Sequence, residues 1–277
     1  MVSEVLQFAL NQVTVPRRNW RDVLNLAHET GCSGVEFRND LGRPLFDGDS
    51  PDQVAQVARD LGLEVLGLSQ VYPFNVWTGE RAEEVRRLVA AAQQCGAPTI
   101  NLIPLNAPPP WEEQPGDLVK VLADIQPLLQ GSGVRALVEP LGFQRASLRL
   151  KADVVAAIEA LGGTGALGIV HDTFHHFLSG EQTFFAGYTA MVHISGVTGP
   201  MTDEEFSDAD RVLVGNDDVL ENIDQIRILL ASGYDGPVSF ECFSPSIQEL
   251  DEPGELLRSS IRFIQKSLDA WGGAESN

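Results

Sequence analysis

One unit recurs along this chain: a short apolar run of strand length, a loop, and a mixed polar and apolar stretch of helical length that stops at or near a glycine. Strands joined through helices run parallel to one another, so the recurrence calls for a parallel sheet covered by helices. Strands are expected at Leu6–Asn11, Gly34–Arg38, Glu64–Ser69, Thr99–Leu105, Arg135–Glu139, Ala166–Asp172, Ala190–Ser195 and Val238–Phe243. Helices are expected near Trp20–Glu29, Pro51–Leu61, Glu80–Cys95, Leu118–Leu129, Lys151–Leu161, Val219–Ala231 and Pro253–Ala270, with a poorly defined sixth helix around Phe174–Phe185. Glycines in ETGCSGVEF, RDLGLEVLGL, QCGAPTI, LQGSGVRALV and ASGYDGPVSFE sit where a helix ends before a strand. Eight such units select an α/β fold of the closed (β/α)8 TIM barrel type over an open doubly wound sheet. Neither GxGxxG after the first strand nor GxxxxGK[ST] is present, so the phosphate-binding loops of dinucleotide and nucleoside triphosphate sites are missing. No linker or low-complexity tract interrupts the 277 residues, and residues 1–277 read as a single barrel domain.

Charge narrows the partners. The 39 acidic residues against 19 basic ones leave a formal charge of -20, which repels phosphate backbones and anionic lipid. Nucleic acid and membrane are therefore not expected as partners, whereas a small neutral sugar or polyol responds mainly to the local field of its cleft. Cys32, Cys95 and Cys242 are widely spaced, form no CxxC pair and suit buried thiols in a reducing compartment. The opening MVSEVLQFALNQ carries an acidic residue where a signal peptide needs basic ones, and no stretch reaches membrane-spanning length, so a cytoplasmic location is expected. A homo-oligomer is compatible with this composition but not specified by it.

In a barrel of this kind the cleft lies where the strands end, and alternation along each strand says which residues reach it. Val238, Phe240 and Cys242 suit the helix-facing side, which turns Glu241 inward. By the same parity Val138 faces out and Glu139 in, His171 out and Asp172 in, and Val192 and Ile194 out with His193 in. The four inward groups are spaced at intervals of 33, 21 and 48 residues, one or two units apart, and so come from strands five to eight. Each alone also suits an ordinary ion pair or a core histidine. Together, three carboxylates and an imidazole would raise one another's pKa values unless a cation held them. One divalent metal ion is expected, ligated by Glu139, Asp172, His193 and Glu241; the donor set suits Mn²⁺, Co²⁺, Zn²⁺ or Mg²⁺.

Other polar and aromatic residues fall near the same end. His175, three residues past Asp172, is placed to touch substrate or support the metal, and Arg211 is placed to clamp an oxyanion or a ligating carboxylate. Glu36 and Arg38 in VEFRND, with Asn11 and Gln70, are candidates for polar contacts on the far wall. Trp77 and Phe74 in YPFNVW offer ring faces on which a cyclic polyol would stack.

With GCSGVEFR, ALVEPLGF, GIVHDTFHHF, MVHISGV and VSFECFS the chain resembles the xylose-isomerase-like superfamily of sugar-phosphate isomerase/epimerase barrels over nearly its whole length. MVHISGV together with DRVLVGNDDVLENIDQIRILLASGYDGPVSFECFSP resembles, more particularly, the 2-keto-myo-inositol (inosose) isomerases of bacterial inositol catabolism. The resemblance implies that Glu139, Asp172, His193 and Glu241 hold the metal, often manganese, that His175 and Arg211 contact substrate, and that Glu139 and Glu241 move the proton. Some ketose epimerases of this group carry a second glutamate six positions beyond the first; here Arg145 stands there, which counts against a free-ketose epimerase.

The activity so implied is metal-dependent interconversion of 2-keto-myo-inositol and 1-keto-D-chiro-inositol by proton transfer through an enediolate. An inosose dehydratase or a ketose 3-epimerase would use the same fold and site. A non-catalytic carbohydrate-binding barrel is the alternative from another class.

Overall fold

The computed structural model describes residues 6–199 and 206–272; the first five residues, part of the opening weighed above as a leader, lie outside them. Eight parallel strands close into a barrel in sequence order, the last pairing with the first. They are β1 Phe8–Asn11, β2 Gly34–Arg38, β3 Glu64–Val71, β4 Thr99–Leu102, β5 Arg135–Val138, β6 Leu167–Asp172, β7 Thr189–Ile194 and β8 Val238–Phe240. Around them lie α1 Trp20–Thr30, α2 Pro51–Asp60, α3 Gly79–Cys95, α4 Leu118–Leu129, α5 Lys151–Ala160, α6 Thr173–Ser179, α7 Asn222–Ala231, α8 Pro245–Gln248 and α9 Gly254–Gly272. The expected (β/α)8 barrel is therefore the fold.

Four boundaries differ from the sequence reading in ways that matter for the site. The expected fourth, fifth and eighth strands overrun, because β4, β5 and β8 end at Leu102, Val138 and Phe240. Glu139 and Glu241 thus stand one residue beyond their strands. The ladder nevertheless continues through them: the Glu139 N–H donates to the Leu102 carbonyl at 3.1 Å and the Glu241 N–H to the Ile194 carbonyl at 2.9 Å. Their inward direction is kept for that reason. The sixth helix is short and begins directly after β6, with Asp172 as its N-cap accepting from the His175 N–H at 2.9 Å. Gly180, at φ 69°, ends it in the left-handed conformation that glycine adopts without a Cβ penalty.

Strand parity divides the apolar residues into two layers. Leu10, Val35, Ile100, Val138, Val192 and Phe240 belong to the main core between barrel and helices. There they join Trp20 and Val23 of α1, Val54 of α2, Val85 of α3 and Leu122 of α4. Each fully buried aliphatic or aromatic side chain of this kind stabilises the fold by about 1.5–3 kcal/mol. A separate cluster of Ala9, Leu66, Leu137, Val170 and Met191 fills the barrel interior. Two residues further along the same strands the inward positions turn polar: Asn11 follows Ala9, Glu139 follows Leu137, Asp172 follows Val170 and His193 follows Met191. The apolar plug is the floor on which the polar site stands.

The outward direction expected for His171 is also observed. Its ring lies behind β6, where Nε2 donates to Gln225 Oε1 of α7 at 3.0 Å. That leaves Nδ1 to accept from Lys151 Nζ of α5 at 2.8 Å, and the same ammonium donates to His176 Nδ1 of α6 at 2.9 Å. Burial pushes the Lys151 amine down to about 7, partly opposed by the Glu181 carboxylate. Three helices are tied to the back of the strand that carries Asp172.

Gly142 allows α6 to approach the loop after β5. A Cβ there would meet the His175 carbonyl oxygen at 2.4 Å and Leu178 Cβ at 2.7 Å. Gly142→Ala is expected to destabilise the fold by about 1–3 kcal/mol through overpacking, read as a lower midpoint in chemical denaturation.

Candidate metal centre

Glu139, Asp172, His193 and Glu241 are all buried, and one ligand atom from each lies within 4.8 Å of the others. They arrive from the ends of β5, β6, β7 and β8, as parity requires. His193 stands at the middle of the group, with Nδ1 3.5 Å from Glu139 Oε1 and 3.4 Å from Glu241 Oε2. Nδ1 has no well-formed hydrogen bond, whereas Nε2 lies 3.2 Å from Glu36 Oε2 on β2. With Nε2–H directed at Glu36, Nδ1 is the nitrogen that would turn a lone pair to a cation held among the three carboxylates, and that carries a proton toward them when no cation is there.

Two buried arginines complete the cluster. Arg211 Nη2 donates to Asp172 Oδ2 at 2.5 Å and to Glu241 Oε2 at 3.0 Å, while its Nε donates to Ser195 Oγ at 2.9 Å. Its guanidinium carbon lies 4.6 Å from the Phe243 ring centroid and 5.0 Å from that of Phe174. Arg38 Nη1 donates to Glu241 Oε1 at 2.9 Å, and the rest of its guanidinium is held by Asp40. Asn11 Nδ2 reaches Glu241 Oε1 at 3.3 Å. Among the described residues no arginine bonds Glu139, whose nearest basic neighbour is His193 at 3.5 Å.

The charge balance fits a divalent cation. Among the described residues, four buried carboxylates, Glu36 included, have only these two guanidinium groups beside them. Burial opposes a charge on His193, yet Glu241, Glu36 and Glu139 together raise its pKa well above the ordinary imidazole range. Burial also raises the Glu139 carboxyl, reinforced by the Glu241 charge. Glu241 is lowered despite its burial, by His193, Arg211 and Arg38. Without an ion, the cluster draws a proton onto the imidazole; one carboxylate oxygen from each acid and Nδ1 of His193 form a divalent-metal-binding site.

Above the cluster lies a cavity of about 210 Å³. Glu139, Glu241, Arg38, Arg211 and His175 line it, with Phe143 and Phe243 supplying aromatic walls. His175 packs edge-on against Phe143 and Phe174, both at 5.2 Å between centroids, and its Nδ1 has no partner. Arg211 and His175 both line the cleft, Arg211 bonding two of the carboxylates. Glu36 does not line the cleft: it is fully buried behind His193, where Gly67 leaves room for its carboxylate. Trp77 is half-buried against the main core and Phe74 is fully buried in it; neither lines the cleft, and the ring faces there belong to Phe143, Phe243 and Tyr72. Phe243 carries a readable signal, since it lies two residues past Glu241 and so shares its side of the chain. Phe143 lies on a loop, and Asp208, which also lines the cleft, begins a short 3-10 turn; strand alternation gives neither a direction.

The same fold occurs in a xylose isomerase domain containing protein from Salmonella typhimurium, 28% identical with a TM-score of 0.86, covering 97% of this chain and 99% of that one. The IolI protein, whose crystal structure holds a zinc atom, is 18% identical with a TM-score of 0.76 over 95% of this chain and 96% of its own. An L-ribulose 3-epimerase is 18% identical with a TM-score of 0.72, covering 98% and 97%. Comparison with functionally curated proteins gives no match. A family profile described as xylose isomerase-like TIM barrel matches residues 24–267.

Two measurements check the centre. Metal uptake by the metal-free protein should release about one proton near neutral pH, because Nδ1 must lose its proton to ligate. Calorimetric titration with Zn²⁺ or Mn²⁺ in buffers of different ionisation enthalpy reads it, and a buffer-independent heat would contradict it. Glu36→Gln should weaken metal binding by roughly 10–100-fold, the usual cost of losing the carboxylate behind a ligating histidine; unchanged affinity would remove Glu36 from that role.

Proposed function

This chain belongs to the xylose isomerase-like TIM-barrel family, and on that premise we propose that it is a metal-dependent epimerase of a keto sugar, inverting the carbon beside the ketone by proton transfer. One observation carries this reading. Glu139 and Glu241 follow β5 and β8, the strands on either side of β6 and β7 that carry Asp172 and His193, and both open onto the cleft. A proton acceptor on each side of a planar enediolate allows removal from one face and return to the other, which is inversion.

The residues divide the work by what each touches. Asp172 is fixed by the α6 N-terminus and Arg211, and His193 by Glu36, so both suit holding the ion. A divalent ion bound there supplies Lewis acidity toward the ketone and a neighbouring hydroxyl. Glu241 is clamped at both oxygens by Arg38, Asn11 and Arg211, whereas Glu139 has no guanidinium on it and is freer to accept the first proton. His175, with an unpartnered ring nitrogen at the cleft wall, is placed to hydrogen-bond a substrate hydroxyl. Phe143 and Phe243 exclude water from the reacting carbon. General acid–base transfer of this kind contributes roughly 10²–10⁴-fold in rate.

Carbonyl migration round an inosose ring, the activity implied by the MVHISGV resemblance, needs the same ion and at least one of the same carboxylates. Two flanking proton carriers favour inversion over migration. Proton NMR in D₂O with the metal-loaded protein separates the outcomes, using D-fructose, D-tagatose, L-ribulose and 2-keto-myo-inositol. The expected result is deuterium at the carbon beside the ketone of a ketose and appearance of its epimer, both abolished in Glu241→Gln. A shifted ketone on the inosose ring supports the isomerase instead, loss of water supports a dehydratase, and unchanged spectra throughout would sink every enzymatic reading.

A further inference from the structure

A second and larger cavity, about 470 Å³, lies beside the catalytic cleft. The two share Gln70 and Tyr72 as a common wall, so a group attached to a ring in the cleft passes over that wall without leaving the protein. Its lining has two characters. Leu45, Leu88 and Ala91 give an apolar side, and Tyr72 adds a 40% exposed ring at the shared edge. Opposed to these are the polar ends of Asp40, Glu84 and Arg87.

The state of those charges narrows the occupant. Both Asp40 oxygens accept from Arg38, at 2.9 and 2.7 Å, and one also accepts from Gln70 Nε2 at 2.9 Å. Glu84 is paired with Arg81 Nη1 at 2.6 and 2.7 Å. Arg87, by contrast, makes no hydrogen bond or ion pair among the described residues, which leaves its N–H donors available. With two carboxylates beside it and a chain charge of -20, this arginine does not make a strongly positive field. Open donors over an apolar side suit a neutral polyhydroxylated ring, which presents C–H faces to carbon and hydroxyl oxygens to nitrogen.

We infer that this cavity is a subsite for a glycosyl group carried by the substrate, so that the enzyme acts on the keto ring of a glycosylated sugar rather than on a free monosaccharide. The inference rests on the epimerase reading for which ring sits over the metal centre. It also gives a physical setting for Arg145, which stands near the cleft mouth bonded to Asn106 Oδ1 at 2.9 Å and stacked 4.5 Å over Phe143, where a free-ketose epimerase of the resembled group carries a glutamate.

The test is calorimetric binding to the metal-loaded protein, comparing D-fructose with lactulose, isomaltulose and turanose, three fructose units that bear a hexosyl group on different oxygens. At least one disaccharide should bind roughly tenfold or more tighter than D-fructose, the gain expected from one filled subsite. Arg87→Ala and, separately, Ala91→Trp, which fills the cavity, should each remove most of that gain and leave D-fructose binding within about twofold. Neither residue touches the metal centre or the cleft. If none of the three outbinds D-fructose, or if the gain survives both substitutions, the cavity is not a glycosyl subsite. A binding gain that Arg87→Ala removes, with no proton exchange on any ketose, would keep the subsite and overturn the epimerase reading alone.

Discussion

The placement of His193 among four carboxylates is the interaction on which the rest of this structure depends. Nothing in water favours gathering Glu36, Glu139, Asp172 and Glu241 in the mouth of a barrel, because each loses hydration and repels the others. The fold answers with two buried guanidinium groups and an imidazole, and the remaining imbalance defines the cation it is built to take. This explains why the arginines do not simply satisfy the carboxylates. Arg211 and Arg38 hold Asp172 and Glu241, Arg211 reaching even the Glu241 oxygen that faces Nδ1, while the Glu139 oxygen nearest Nδ1 carries no guanidinium among the described residues. A third arginine inside the cluster would stabilise the protein without metal and close the centre.

Much of the centre was legible because strand alternation has only two outcomes. Ala9 to Asn11, Leu137 to Glu139, Val170 to Asp172 and Met191 to His193 are steps of two, each from the apolar plug to the polar layer above it. Parity reveals inside from outside but not height within the barrel. Glu36 shows the limit: it does point inward, as a substrate contact would, but its level beneath His193 depends on the stagger between strands that closure imposes. Trp77 failed differently. It follows β3 on a loop with no parity, and an aromatic residue near the cleft end suits a stacking wall and a core anchor equally well; its packing against the main core decided the matter.

The larger cavity was beyond any periodicity. Asn39 and Asp40 follow β2, Leu45 lies further along the same connection, Gln70 and Tyr72 come from the end of β3, and Arg87 to Ala91 from α3. Only the curvature of the sheet brings these three segments together. Its position beside the metal centre follows from the same geometry, since Asp40 holds the guanidinium of Arg38 that in turn holds Glu241. A group seated in the cavity would therefore meet a residue two steps from Glu241, and its occupancy would bear on the setting of that carboxylate.

The end of β6 shows how such a charged centre is kept from drifting. Asp172 caps α6 and accepts from Arg211, so its side chain is held in place on the inner face, where it would ligate a metal. His171, one residue earlier, points the opposite way into Lys151 and Gln225, which tie the same backbone to α5 and α7. Burial leaves the Lys151 amine near 7, so this outer anchor is itself poised between charged and neutral rather than held by a strong ion pair. Adjacent residues of one strand are thus fastened to opposite faces, and a displacement of the ligand would have to break both networks. Where four candidate ligands come from strand ends, that two-sided attachment is what converts strand alternation into a fixed arrangement of ligand atoms.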